Sequence, residues 1–151
     1  EVEDIYRNKI SIALAGTAYC RFTCTLRTFA EQDALYAQGR TKLFDNNGKR
    51  LGKVTNTKSG QSFHNFALAL DFVLIDGNST SWDTAKDFDE DGVADWKEVI
   101  NIFEDFGYES GSRWKFVDKP HIQKVFDYEW EELLEKYNAK DFIKGTTYVN
   151  L

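Results

Sequence analysis

The sequence predicts an α+β fold, a small and mostly antiparallel sheet with helices packed against it. Three observations predict it. Ala67–Ile75 is nearly continuous apolar sequence of strand length, as expected for a central strand covered on both faces. Apolar stripes at helical spacing recur at both ends of the chain and in its middle. Short alternating runs lie between them, and no internal repeat or linker divides the chain. The 151 residues fit one domain, residues 1–151, long enough to bury a core. A composition that is 42% hydrophobic and 15% aromatic excludes a disordered chain.

Taken in order, residues 4–14 read as a helix with an imperfect stripe of Ile5, Ile10, Ile12 and Leu14. Alternation over residues 20–27 gives a strand with Cys20 and Cys24 on its apolar face and Arg27 on the other. Four strand residues span about 13 Å, too far for a disulfide, so both cysteines are expected to be buried thiols. Thr28-Phe29-Ala30-Glu31 is a capping box that opens a helix over residues 29–38, ending near Gly39. Residues 39–61 read as a long loop with a short strand at Val54, and loops of that length are often functional. After the central strand, Ser79 to Thr84 reads as loop and an acidic segment, 83–95, leads into a helix over residues 94–106. Short strands are expected at 113–117 and 121–126, a last helix at 128–137, and a strand or extended tail at 146–151.

A formal charge of −6 argues against nucleic acid or an anionic membrane as partner, since both need clustered Lys and Arg. No apolar run approaches the ~20 residues that span a bilayer. The chain opens at Glu1 and holds no methionine, as a processed start would. It contains no HExxH, no GxSxG and no phosphate-binding glycine loop.

The chemistry starts from Asp71, a carboxylate inside the apolar run 67–75. Burial there demands a cation or hydrogen-bond donors; read alone, Asp71 fits an arginine partner or a strand end equally well. His64 and His121 are the only histidines, one seven residues before Asp71 and one after Pro120. Two imidazoles and a carboxylate suit catalytic zinc with a fourth position left for water, while two unrelated polar histidines are the plainer alternative. The segment Ser62-Phe63-His64-Asn65-Phe66-Ala67-Leu68-Ala69-Leu70-Asp71 resembles the SxHxxGxAxD motif of the VanY-like zinc peptidases. That family includes D-alanyl-D-alanine carboxypeptidases, vancomycin-resistance dipeptidases and phage-type L-alanyl-D-glutamate endolysins. Asp118-Lys119-Pro120-His121 resembles its second motif, and residues 26–41 and 54–62 resemble its upstream segments, particularly in the endolysin branch. Ala67 stands where the family carries Gly, and Ser110 where the endolysin branch carries Trp.

The resemblance implies that His64, Asp71 and His121 bind zinc, that Asp118 is the general base and acid, and that Arg27 steadies the oxyanion or a peptide carboxylate. It also implies that Ser62 and Gln32 contact substrate. Taken singly, Asp118 reads as a turn residue, Arg27 as a solvated charge, and Ser62 and Gln32 as turn and helix-surface residues. The implied substrate is a peptidoglycan stem peptide, cut at L-Ala–D-Glu, with D-Ala–D-Ala cleavage as the alternative. A non-catalytic calcium- or wall-binding domain is a third reading. The implied enzyme is a monomer made in the cytoplasm that acts on the cell wall after lysis or secretion. Separately, Asp87, Asp89, Asp91, Val93, Asp95 and Glu98 occupy positions 1, 3, 5, 7, 9 and 12 of a calcium-loop pattern, with Gly92 at position 6. The plainer reading of that segment is a solvated acidic loop that caps the next helix.

Overall fold

The computed structural model describes residues 1–151. Two compact units divide the chain, one formed by Glu1–Cys24 with Leu70–Lys124 and the other by Thr25–Ala69 with Val125–Leu151. The α+β expectation holds.

The first unit carries the sheet. Its strands are β1 (Tyr19–Cys24), β2 (Ala69–Asp76), β3 (Ser79–Ser81), β4 (Glu109–Ser110) and β5 (His121–Gln123), arranged β1-β2-β5-β4 with β3 also paired to β2. β1 and β3 both run antiparallel to β2, and β4 antiparallel to β5. Phe72, Val73 and Leu74 of β2 are buried, which is why the segment reads as an unbroken apolar run. Gly77-Asn78 turns β2 into β3, with Asp76 opposite Ser79 and Gly77 at φ 58°. Ser79–Ser81 is thus a strand rather than the expected loop, delivered by a two-residue Gly-Asn link that is itself a hairpin signal.

The N-terminal helical stretch runs as α1 (Val2–Ile5), a π-helical segment Tyr6–Ile10, and α2 (Ser11–Ala13). Ile5, Ile10 and Leu14 are buried, whereas Ile12 points to solvent, contrary to the predicted stripe. The five-residue step from Ile5 to Ile10 does not fit α-helical spacing, and the extra residue of a π turn brings both onto the core face. The helix α4 (Asp95–Asp105) buries Trp96, Val99, Ile100 and Phe103, one face at i, i+3, i+4 and i+7. Trp96 lies against Phe72 of β2 with ring centroids 4.7 Å apart. In place of the predicted strand at 113–117 there is a 3₁₀ turn, Gly111–Arg113, followed by exposed Phe116 and Val117. The Ser110 hydroxyl accepts the Ser112 N–H and closes that turn, so pairing ends at β4.

The second unit packs α3 (Phe29–Ala37) and α5 (Trp130–Asn138) around Phe63, Phe66, Ala69, Leu133 and Val149. Both arms of the predicted capping box form: Glu31 N–H donates to the Thr28 hydroxyl at 3.2 Å, and Thr28 N–H to Glu31 Oε2 at 2.8 Å. The long loop holds a local hairpin rather than a strand at Val54. Phe44 bridges Arg50 around a turn in which Asp45 Oδ1 accepts the N–H groups of Asn47 and Lys49. In place of the predicted strand or extended tail over 146–151, the C-terminus turns through residues 144–148 and bridges back from Val149 to Phe142.

Candidate active site

In the first unit the sheet brings two predicted ligands together. Asp71 on β2 and His121 on β5 sit on neighbouring strands, held in step by the Phe72 N–H to Pro120 carbonyl bond of 3.1 Å. His121 Nδ1 lies 3.2 Å from Asp71 Oδ1, and its Nε2 lies 3.1 Å from Gln123 Oε1. The Gln123 amide is oriented by its own NH₂ donating to Glu109 Oε2 at 3.3 Å. An oxygen therefore faces Nε2, so Nε2 carries the hydrogen and donates. In a neutral imidazole that leaves the lone pair on Nδ1, facing a carboxylate oxygen. Two acceptors at that distance need a proton or a metal cation to join them. This donor set, an imidazole and a carboxylate with the far ring nitrogen fixed by an amide, fits zinc and its supporting shell.

Asp118 is exposed and held by its backbone. Its N–H donates to the Gly111 carbonyl at 2.9 Å, and its carbonyl accepts the His121 N–H at 3.2 Å. Gly111 is there for clearance, because a Cβ would stand 2.5 Å from the Asp118 carbonyl oxygen and 3.2 Å from His121 Cβ. Arg113 anchors the same loop to α4 through paired bonds of 3.0 and 2.8 Å to Glu104. The Trp114 ring centroid lies 5.0 Å from that of His121. Gly111, Trp114 and Gln123 were not singled out from sequence; only the even spacing of Gln123 from His121 along a strand marks it as sharing a face.

The second unit holds His64 and Arg27. His64 lies in a 3₁₀ turn, Phe63–Phe66, that ends at Ala67 with φ 61° and ψ 27°. The position needs left-handed backbone, which is why glycine suits it and alanine is strained. His64 Nδ1 is 2.7 Å from the Thr25 carbonyl, which can only accept, so Nδ1 carries the hydrogen and Nε2 the lone pair. Asn65 reaches back to the Arg27 carbonyl at 2.9 Å, and Arg27 N–H donates to the His64 carbonyl at 3.0 Å.

Strand β1 ends at Cys24, so Arg27 lies on the link into α3 rather than on a strand face as predicted. Its guanidinium donates to Gln32 Oε1 at 2.9 Å, and the Gln32 NH₂ donates to the Thr57 carbonyl at 2.6 Å. Gln32 is 0% exposed, so it stands behind Arg27 as a positioning residue rather than on the helix surface. Ser62 precedes the His64 turn, and its carbonyl accepts the Asn65 N–H at 2.9 Å.

The cysteines differ. Cys20 is buried and its thiol is pushed up to about 12 by desolvation. Cys24, paired with Asp71 across the sheet, is only half-buried, because the β1–β2 register shifts between Phe22 and Cys24 and breaks the alternation. Neither forms a disulfide.

The acidic loop is folded on itself. Gly92 N–H donates to Asp87 Oδ2 at 2.8 Å, Asp91 N–H to Asp87 and Asp89, Val93 N–H to Asp91 Oδ1 at 2.8 Å, and Phe88 N–H to Asp95 Oδ2 at 2.7 Å. Gly92, at φ 97°, makes the sharp turn. Burial, and after it the carboxylates of Asp91, Asp89, Asp95 and Asp87, push Glu98 up to about 7.

Comparison with known proteins bears on the first two of these constellations. Residues 55–124, which contain His64, Asp71, Asp118 and His121, match a peptidase family model described as D-alanyl-D-alanine carboxypeptidase. The resemblance to the VanY-like peptidases is thereby borne out. Among curated proteins, the peptidoglycan L-alanyl-D-glutamate endopeptidase CwlK of Bacillus subtilis (strain 168) is 43% identical over 102 residues, 66% of this chain. The match covers 56% of CwlK, so the chain spans little more than half the length of that relative. The crystal structure of the Serratia marcescens L-Ala D-Glu endopeptidase ChiX aligns with a TM-score of 0.49 at 20% identity, covering 82% of this chain and 80% of that chain.

Proposed function

We propose that this chain is a zinc-dependent peptidoglycan peptidase, a single catalytic domain that hydrolyses the L-Ala–D-Glu bond of a stem peptide. The observation that carries the reading is the pairing of His121 Nδ1 with Asp71 Oδ1, two acceptors that a cation would join. His64, whose Nε2 bears the lone pair, completes the ligand set, and its nearness to Asp71 in sequence supports that. Held by these three residues, zinc would supply Lewis acidity and activate a water near neutral pH.

Asp118 takes the proton from the attacking water and delivers it to the leaving amine. Its hydrogen bonds through Gly111 and His121 fix its backbone beside the ligand strand. Arg27, with its guanidinium oriented by Gln32, neutralises the developing oxyanion or a substrate carboxylate. Ser62 offers a hydroxyl at the start of the His64 turn. The substrate lies in the cell wall, and no helix of the chain is long and apolar enough to cross a membrane.

The name of the CwlK relative supports the L-Ala–D-Glu bond, while the description of the matching family favours D-Ala–D-Ala as a second reading. Mass spectrometry of purified muropeptides after digestion distinguishes them. Release of L-Ala from the stem, abolished by a zinc chelator and restored by zinc, is the expected result. Loss of terminal D-Ala would select the carboxypeptidase, and cleavage that survives metal removal would refute both. Asp118→Ala should lower kcat by about 10²–10⁴-fold, the range of a general acid–base group.

A further inference from the structure

We propose that the loop Asp87–Glu98 is a calcium site, with Asp87, Asp89, Asp91, Asp95 and Glu98 as its carboxylate ligands. Within residues 87–98 there are six acids and a single lysine, Lys97, so the segment repels itself without a cation.

A loop that merely caps its own backbone accounts for part of this arrangement. One oxygen each of Asp89, Asp91 and Asp95, and both of Asp87, accept backbone N–H groups. It does not account for the rest. Asp95 is 0% exposed, and its second oxygen, Oδ1, is buried with no hydrogen-bond partner. Glu98 Oε2 is in the same condition. Buried carboxylate oxygens without donors are a cost that folding does not leave standing unless something else satisfies them.

The geometry supplies the something else. Donor oxygens of Asp87, Asp89 and Asp95 lie within 4.8 Å of one another, and so do those of Asp89, Asp91 and Glu98. Calcium–oxygen distances of about 2.3–2.6 Å place any two ligands of one ion within about 5 Å. Asp89 belongs to both groups, so an ion beside it has the three carboxylates of either group within reach. An all-oxygen carboxylate set suits calcium better than magnesium, which keeps its waters and demands a stricter octahedron, and better than zinc, which favours sets containing nitrogen or sulfur. Asp95 is also the first residue of α4, and Trp96 beside it packs on Phe72 next to Asp71. The ion would order the loop and the start of that helix, and it stands independently of the peptidase reading.

Isothermal titration of calcium chloride into the full chain supplied with zinc tests it. One calcium per chain is expected, weakened at least tenfold in Glu98→Gln and in Asp89→Asn, with circular dichroism confirming that both variants fold. His64→Ala should bind calcium like the parent whatever becomes of its zinc. No saturable heat up to about 10 mM calcium, beyond the weakest loops of this type, would overturn the proposal. So would acidic-loop variants that titrate like the parent, or loss of calcium binding in His64→Ala.

Discussion

Gly111 shows how a residue without a side chain governs the placing of two residues, Asp118 and His121, to which the proposed function gives chemical roles. A methyl group there would meet the Asp118 carbonyl oxygen at 2.5 Å and Cβ of Asp118 at 3.1 Å. The backbone cannot yield without moving Asp118 relative to His121. Gly111→Ala should therefore lower kcat/KM on muropeptides at least tenfold, and overpacking should cost stability by about 1–3 kcal/mol. Steady-state cleavage beside a thermal melt checks it, and parental kcat/KM would mean that the Asp118 position has slack. The imidazoles make a related point. Each has one ring nitrogen fixed by an oxygen acceptor, the Thr25 carbonyl for His64 and the Gln123 amide for His121. The proposed ligand set was legible as two histidines and an aspartate in the order of the motif. These supporting partners were not, because a backbone carbonyl from a distant link leaves no mark in sequence.

At the level of elements, the turn that presents His64 carries a strain the motif comparison exposes. Ala67 adopts φ 61°, a region that costs an L-residue about 1–2 kcal/mol. Ala67→Gly relieves that and gives back part of it through a more flexible unfolded chain. The net expectation is about 1 kcal/mol of added stability, or roughly 2–4 °C in Tm for a domain of this size. A melt in which Ala67→Gly unfolds at lower temperature than the parent would show that the turn is not under strain.

Elements with local signals were readable, as the capping box of α3 and the apolar face of α4 show. Those set by pairing were not. Residues 113–117 have strand-like composition but follow a Ser110-capped turn and find no partner, while polar Ser79–Ser81 pairs because a two-residue turn delivers it to β2.

Across the whole molecule, the charge of −6 would provide no attractive field for the proposed wall substrate, so on that reading capture falls to local contacts, the proposed one from Arg27 among them. Steered association loses orders of magnitude as salt rises; here kcat/KM should change by less than about threefold between about 50 and about 200 mM salt. A steep fall would show that a basic surface guides the substrate. The identities and order of His64, Asp71, Asp118 and His121, and the acidic spacing of residues 87–98, are properties of the chain as written, since donor chemistry and helix or strand periodicity are local. Three-dimensional folding alone determined that Asp71 and His121 meet on adjacent strands, that Gln32 stands behind Arg27, and that an oxygen of Asp95 is buried without a donor. Asp71 and His121 lie 50 residues apart, and Gln32 is held in place by the Thr57 carbonyl 25 residues on, separations that no local preference encodes.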